Sequence, residues 1–341
     1  MKKEDYSNQL QIEALLNECK GNLFEYLVTH GLARKLNKEG EFLLSLPKDF
    51  RNRLQFYEST IRNYDLNLLA SLPKLASAVV ESICDYHLFK DKDLSFNVIG
   101  KMVATNDNTI WNETDIVGIE KLSDGQTQKH YLSLKLTKDH SFTNTKSAGI
   151  KSFVQKYFSE FGALAIELQR ELNQEVDTSF NMMGHSLYKM IDQEFLGQFD
   201  SRWTNYYTEL PGELNDEMRV PLFLNYQHVA NKVLEVVHRL YLENPLAFYK
   251  CLSGLCGFGN QDLIQVSCFH QNYQLKEISI QSFSDLFTGN PDEIQISTEI
   301  LGNSSIEIHF LAFVLQIRIK PMNKFTTAAY KINCSIKKRT K

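Results

Sequence analysis

Between Asp93 and Thr137 the apolar residues change from a helical spacing to an alternation of two, and no other feature constrains the fold as much. Within that segment, Tyr131-Leu132-Ser133-Leu134-Lys135-Leu136-Thr137 puts three leucines on one face of a strand. Tyr131, Ser133, Lys135 and Thr137 take the other face. The leucines must pack on helices. A lysine in the middle of the opposite face needs an open edge or a polar site, because burying an unpaired ammonium is costly. Asp115–Leu122 reads as the preceding strand, and Phe96, Val98 and Ile99 as an earlier one. Ser123-Asp124-Gly125-Gln126 joins the last two, and Asp-Gly between β-rich runs signals a hairpin. With the turn centred on Asp124-Gly125, Asp115 is expected across from Leu134, next to Ser133 and Lys135.

Helical patterns flank this sheet segment. Leu10, Ile12, Leu15 and Leu16, then Leu23, Phe24, Tyr26 and Leu27, recur at helical spacing, as do Leu66, Leu68, Leu69, Leu72 and Leu75. Pro73 is expected to interrupt the last of these, with a fresh helix from Lys74 through Leu88. After the hairpin a helix is expected from Lys146 or Ser147, carrying Ile150, Phe153, Val154, Tyr157, Phe158 and Phe161. Breaks are expected at Pro211-Gly212 and Pro221. Strands are then expected over Leu263–Phe269, Leu275–Gln281, Glu293–Ile300, Ser305–Val314 and Leu315–Ile319. The layout is α+β: a small mixed central sheet flanked by helices, with an additional C-terminal β-rich region. The divisions expected are a helical region over 1–90, a core with a helical extension over 75–260, and a β-rich region over 261–341.

With 43% apolar residues and only 7 prolines in 341, the chain can bury a sizeable core. Its net charge of -4 is no sign of a nucleic-acid partner, but the distribution is uneven. Lys129 to Lys156 holds six lysines against one acid, Asp139, and Arg318 to Lys341 holds eight basic residues and no acid. Together these stretches suggest a composite phosphate-binding surface; the alternative is two solvated faces. The six cysteines (19, 84, 251, 256, 268, 334) lack metal-ligand spacing and read as buried free thiols. Gly254 to Gly259 reads as a flexible loop, and no Gly-x-Ser-x-Gly, P-loop or dinucleotide fingerprint is present. The N-terminus lacks the apolar core of a signal peptide and no run approaches a membrane span, so a soluble, intracellular protein is expected.

The chemistry is expected at Asp115 and Lys135. A carboxylate is a hard oxygen ligand for Mg²⁺. A lysine beside it can orient a water or stabilise charge on a phosphate, as phosphodiester hydrolysis requires. An ordinary cross-strand ion pair, worth little, is the alternative for the same two residues. Ser141 to Phe153 joins small hydroxyl and amide donors to Lys146 and Lys151 at an expected helix N-terminus, which suits a phosphate. Plain capping by Thr145 or Ser147 is the other reading. Gln316, Arg318 and Lys320 alternate on one strand face, either to contact DNA bases or as a solvated surface.

Asp115, a gap of 17 residues, then Ser133-Leu134-Lys135 and a following helix resembles the PD-(D/E)xK nuclease superfamily, which includes most type II restriction endonucleases. The resemblance implies a restriction-endonuclease-like fold and Mg²⁺-dependent hydrolysis of phosphodiester bonds in double-stranded DNA at a short specific sequence. Two positions depart from the family pattern. Thr114 stands in place of proline, and Ser133 stands where the second acid is expected. The missing carboxylate would come from Glu160 or Glu167, from Glu81 on the helix before the sheet, or from Glu113 on the strand face of Asp115. The catalytic set implied is Asp115, Lys135, Ser133 and Glu81; the metal set is Asp115, Glu81, Leu134 and Glu113. The DNA contacts expected are Lys138, Asn144, Lys146, Ser147, Lys151, Arg318, Lys320 and Lys324. A homodimer matching a two-fold DNA site, a cytoplasmic location in a prokaryote and a cognate DNA methyltransferase acting on the same site are implied as well. Ser133 also sustains a second reading, a non-catalytic DNA-binding or regulatory protein on a degenerate nuclease fold. An unrelated α+β enzyme is a third.

Overall fold

The chain folds into two units that it visits in turn, residues 1–143 with 258–287 and residues 144–257 with 288–341. The computed structural model describes residues 3–99, 114–138, 141–257, 263–282, 291–302, 304–322 and 324–339. The first unit opens with α1 (Lys3–Lys35), α2 (Glu39–Ser45), α3 (Phe50–Tyr64) and α4 (Leu66–Asp85), followed by β1 (Leu94–Val98), β2 (Ile116–Lys121) and β3 (Thr127–Lys138). The second unit begins with β4 (Thr143–Gly149), α5 (Phe153–Tyr157), α6 (Ala163–Lys189), α7 (Ser201–Thr204), α8 (Asp216–Glu243) and α9 (Pro245–Leu255). The chain returns to the first unit for β5 (Leu263–Gln271) and β6 (Gln274–Gln281). It ends in the second with β7 (Gln295–Ile296), β8 (Ser305–His309), β9 (Phe313–Pro321) and β10 (Tyr330–Lys338). Among the described residues the fold is mixed α and β, with two five-stranded sheets.

These units cut across the divisions expected at 1–90, 75–260 and 261–341. β5 pairs with β3 and β6 with β5, so residues 263–281 extend the first sheet, while the strands after residue 294 join β4 in the second. The first sheet runs β1-β2-β3-β5-β6, with β3 and β5 parallel and every other pair antiparallel. As the alternation predicts, Leu132 and Leu134 point into a core. There they join Phe96, Ile116, Ile264, Val266 and Cys268 with Leu23, Val28, Leu72, Leu75, Val79 and Ile83 of the helices.

α4 does not break at Pro73. Asp65 caps it, its side chain accepting from Leu68 N at 2.9 Å. Its buried positions, Leu68, Leu72, Leu75, Ala76, Val79, Val80 and Ile83, keep the helical period through the proline, so packing outweighs one lost backbone bond. Among the described residues α4 is the one helix long and apolar enough to cross a membrane; here that apolar side fills the core beside β5 and β6. α8 likewise continues through Pro221.

The second sheet runs β4-β10-β9-β8-β7. The helix expected from Lys146 is replaced by β4. Thr143 and Ala148 are buried while Asn144 and Ser147 are exposed, and pairing beside β10 supplies the backbone partners that a first helical turn would have lacked. The basic C-terminus is itself the strand β10, with Tyr330, Ile332, Cys334 and Ile336 buried. α6 and α8 pack together, tied by Glu171 to Lys232 at 2.7 Å and to Arg239 at 2.9 Å.

Candidate active site

Hairpin geometry brings Asp115 and Lys135 together. Leu122 N donates to Gln126 O at 2.9 Å and Gly125 N to Leu122 O at 3.0 Å, enclosing the three-residue loop Ser123–Gly125 with Gly125 at φ 83°. The extra loop residue shifts the expected register by one, so Ile116 faces Leu132. The ladder ends at that pair, and Asp115 stands one residue beyond it instead of opposite Leu134. Asp115 N donates to Leu132 O, the residue that Ile116 faces, and Ile99 N donates to Asp115 O, both at 2.9 Å, so the backbone holds Asp115 at the end of the ladder while its side chain reaches Ser133 and Leu134.

Three contacts converge on one carboxylate oxygen. Asp115 Oδ2 accepts from Leu134 N at 2.6 Å and from Ser133 Oγ at 3.1 Å, and lies 3.9 Å from Lys135 Nζ. Burial pushes this carboxyl above the usual range for aspartate, while the Lys135 charge, the Leu134 N–H and the Ser133 hydroxyl pull it back. Ser133, where the family pattern has an acid, thus serves as a donor to the first acid. Leu134 joins the cluster through its N–H; its side chain lies in the core.

The polar face of the sheet extends onto strands that sequence reasoning did not connect to the site. In the parallel register Ser133 lies beside Gln265 and Lys135 beside Ser267. On β6, Gln281 lies beside Gln265 and Ser279 beside Ser267. A row of polar residues therefore crosses the sheet from Asp115 through Ser133 and Gln265 to Gln281. Gln265 and Ser267 are buried. The available signal was two polar residues at alternate positions in the otherwise apolar run Leu263 to Phe269.

The other acids do not gather here. Glu81 is 60% exposed and ion-paired with Lys35 of α1. Val79, Val80 and Ile83 set the buried side of α4, which leaves Glu81 facing solvent. Glu160 and Glu167 belong to the second unit, where Cys251 Sγ donates to Glu160 at 3.8 Å and Arg239 pairs with Glu167 at 3.1 Å. Glu113 lies outside the described residues. Among the described residues, no three His, Cys, Asp or Glu side chains form a cluster able to hold a metal ion.

The expected DNA contacts divide by location. Lys138 ends β3, exposed. Asn144, Lys146 and Ser147 lie on β4 and not at a helix N-terminus, and Ser147 Oγ donates to Asn333 Oδ1 at 3.0 Å. Lys151, in a 3₁₀ turn, pairs with Asp177 at 2.6 Å. Lys324 pairs with Glu209, tying down its own loop. Gln316, Arg318 and Lys320 share one face of β9 as expected, with Leu315, Ile317 and Ile319 buried on the other. On the same face of β10, Lys331 lies opposite Lys320 and Asn333 opposite Arg318. Like charges directly across a ladder cost stability. Burial and the charges of Arg318 and Lys331 hold the Lys320 ammonium below its usual range.

No protein-family model matches the chain, and no curated protein does. Among solved structures it is similar to the restriction endonuclease MspI in complex with its cognate DNA, at a TM-score of 0.37 and 10% identity, over 89% of this chain and 97% of that one.

Proposed function

We propose that this protein is a Mg²⁺-dependent endonuclease that hydrolyses phosphodiester bonds of double-stranded DNA at a short sequence. The observation that carries this reading is the convergence of Asp115, Ser133, Leu134 N–H and Lys135 at one end of a hairpin. Mg²⁺ keeps most of its water and needs only one or two protein carboxylates beside the substrate phosphate. Asp115 fits that demand, because all three of its described side-chain contacts fall on Oδ2 and leave Oδ1 for a cation. When bound, the ion would polarise a phosphate oxygen and lower the pKa of a water. The Ser133 and Leu134 donors fix the carboxylate's orientation. Lys135, half-buried and cationic, is placed to hold a phosphate oxygen or the attacking water. On the second unit, Arg318, Lys320 and Lys331 form the face that would take DNA phosphates. A homodimer would match a two-fold site, and a methyltransferase of the same specificity would protect host DNA.

The saturation of Asp115 Oδ2 by neighbouring donors favours one competing reading, in which the cluster only holds the sheet together in a non-catalytic DNA-binding protein. Incubation with plasmid or phage DNA and Mg²⁺ separates the two. Discrete fragments from the wild type, absent with Asp115→Ala and Lys135→Ala, support the nuclease. DNA binding without cleavage under Mg²⁺ or Mn²⁺ supports the competitor.

A further inference from the structure

We propose that Gln265 supplies the second protein oxygen of the cation site, from the strand parallel to β3, in place of the acid absent at Ser133. The proposal rests on the endonuclease reading and extends it to a residue outside the Asp-x(17)-Ser-Leu-Lys pattern.

Three observations carry it. The β3–β5 register sets Gln265 beside Ser133, and residues beside each other in a sheet turn their side chains to the same face. That face also carries Asp115, whose carboxylate accepts from Ser133. Gln265 is only 4% exposed, in a strand where Ile264, Val266 and Cys268 fill the core on the other side. Finally, among the described residues two of the acids expected to fill the role have other partners: Glu81 pairs with Lys35 at the surface, and Glu167 with Arg239.

The chemistry is suitable. A carboxamide oxygen is a hard, neutral donor of the kind that Mg²⁺, Mn²⁺ and Ca²⁺ accept beside a carboxylate. Being neutral, it adds no second negative charge next to the Asp115 carboxylate, which already accepts from the Ser133 hydroxyl and the Leu134 N–H. In the absence of metal, such a site is easier to fold than one with two buried acids. The corresponding drawback is weaker cation affinity, which substrate phosphate would make up.

The test is calorimetric titration of the full chain with Mn²⁺ alone, without DNA, for the wild type, Asp115→Asn, Gln265→Leu and Gln265→Glu. Thermal unfolding is recorded with and without the ion. Gln265→Leu is expected to weaken Mn²⁺ binding about tenfold, as loss of one supporting ligand does. Gln265→Glu is expected to tighten it by about the same factor, since charge count sets affinity. The Glu variant should also unfold at a lower temperature without metal and recover when Mn²⁺ is added. This variant is nearly isosteric, so it decides the matter even if the leucine variant does not fold. If Asp115→Asn abolishes Mn²⁺ binding while Gln265→Glu binds as the wild type does, Gln265 is not a ligand and the endonuclease reading stands. If the wild type binds no Mn²⁺, or Asp115→Asn binds it equally well, the cation site itself is wrong and both proposals fall.

Discussion

Removing the charge from Lys135 while keeping its length, as Lys135→Met, tests whether Asp115 and Lys135 form one electrostatic unit. Their charged atoms lie 3.9 Å apart. At that separation two unit charges interact by about 4 kcal/mol at an effective dielectric near ~20 and by about 1 kcal/mol in water. The lysine side chain is 33% exposed and the aspartate 19%, so solvent screens the pair heavily. A coupling of about 1–2 kcal/mol is therefore expected. Asp115→Asn should behave in the opposite way. Burial raises the Asp115 carboxyl in the folded state, so its ionised form is disfavoured there relative to the unfolded chain. The resulting penalty is absent below the unfolded value of about 3.9 and grows as pH rises through the elevated folded value. Asp115→Asn should then be more stable than the wild type at neutral pH, although inactive, with the difference closing on acidification. Urea unfolding in EDTA near about pH 7.5 and near about pH 4 completes the cycle. Lys135→Met should cost about 1–2 kcal/mol in the wild-type background and close to nothing beside Asp115→Asn. An equal cost in both backgrounds, or a coupling undiminished near about pH 4, would refute the shared site.

Other consequences follow from the same structure. Gly118→Ala would place a Cβ 2.8 Å from the Phe96 ring in the core of the first sheet, and should cost about 1–3 kcal/mol in urea unfolding without changing metal affinity. Glu81→Gln should leave Mn²⁺ affinity and DNA cleavage as they are, because Glu81 pairs with Lys35 in solvent; a lost metal site would restore it to the ligand set. Arg318→Ala and Lys320→Ala should each lower the slope of log K against log salt for duplex DNA binding by about 1, measured by fluorescence anisotropy. Residues 1–143 expressed alone should aggregate, because β3 then lacks β5 and presents an open edge, whereas a flexible linker joining them to residues 258–287 should give a monomeric, folded unit by gel filtration.

How much of this could be read from the sequence follows from how far apart the partners lie. Asp115 and Lys135 were legible because a hairpin is local: the Asp-Gly turn and the leucine alternation fix which residues meet, and an unforeseen loop residue moved the register by only one. Glu81 misled because a lone acid among Val79, Val80 and Ile83 resembles a buried one. Only the packing of α1 shows which side of α4 faces outward and that Lys35 waits there. At Lys146 the aromatic residues downstream imitate a helix start, but pairing beside β10, far along the chain, overrides that local preference. The alternation Gln316, Arg318, Lys320 survived intact, since a strand with one buried face displays its pattern wherever it pairs.

The hardest element to foresee, the parallel pairing of β3 with β5, is also the one that makes the site possible. A parallel neighbour cannot follow through a tight turn, so a crossover must separate the strands. Here that crossover holds everything from β4 to α9, most of the second unit. Without β5, the face bearing Ser133 and Lys135 belongs to an edge strand, where a lysine is an ordinary solvated residue and an effective guard against aggregation. Once β5 docks, β3 becomes the central strand of five, and Ser133 gains Gln265 and Lys135 gains Ser267 as neighbours. The residues that carry charge are thus local in sequence, while the polar neighbours that flank Ser133 and Lys135 come from a strand more than a hundred residues later.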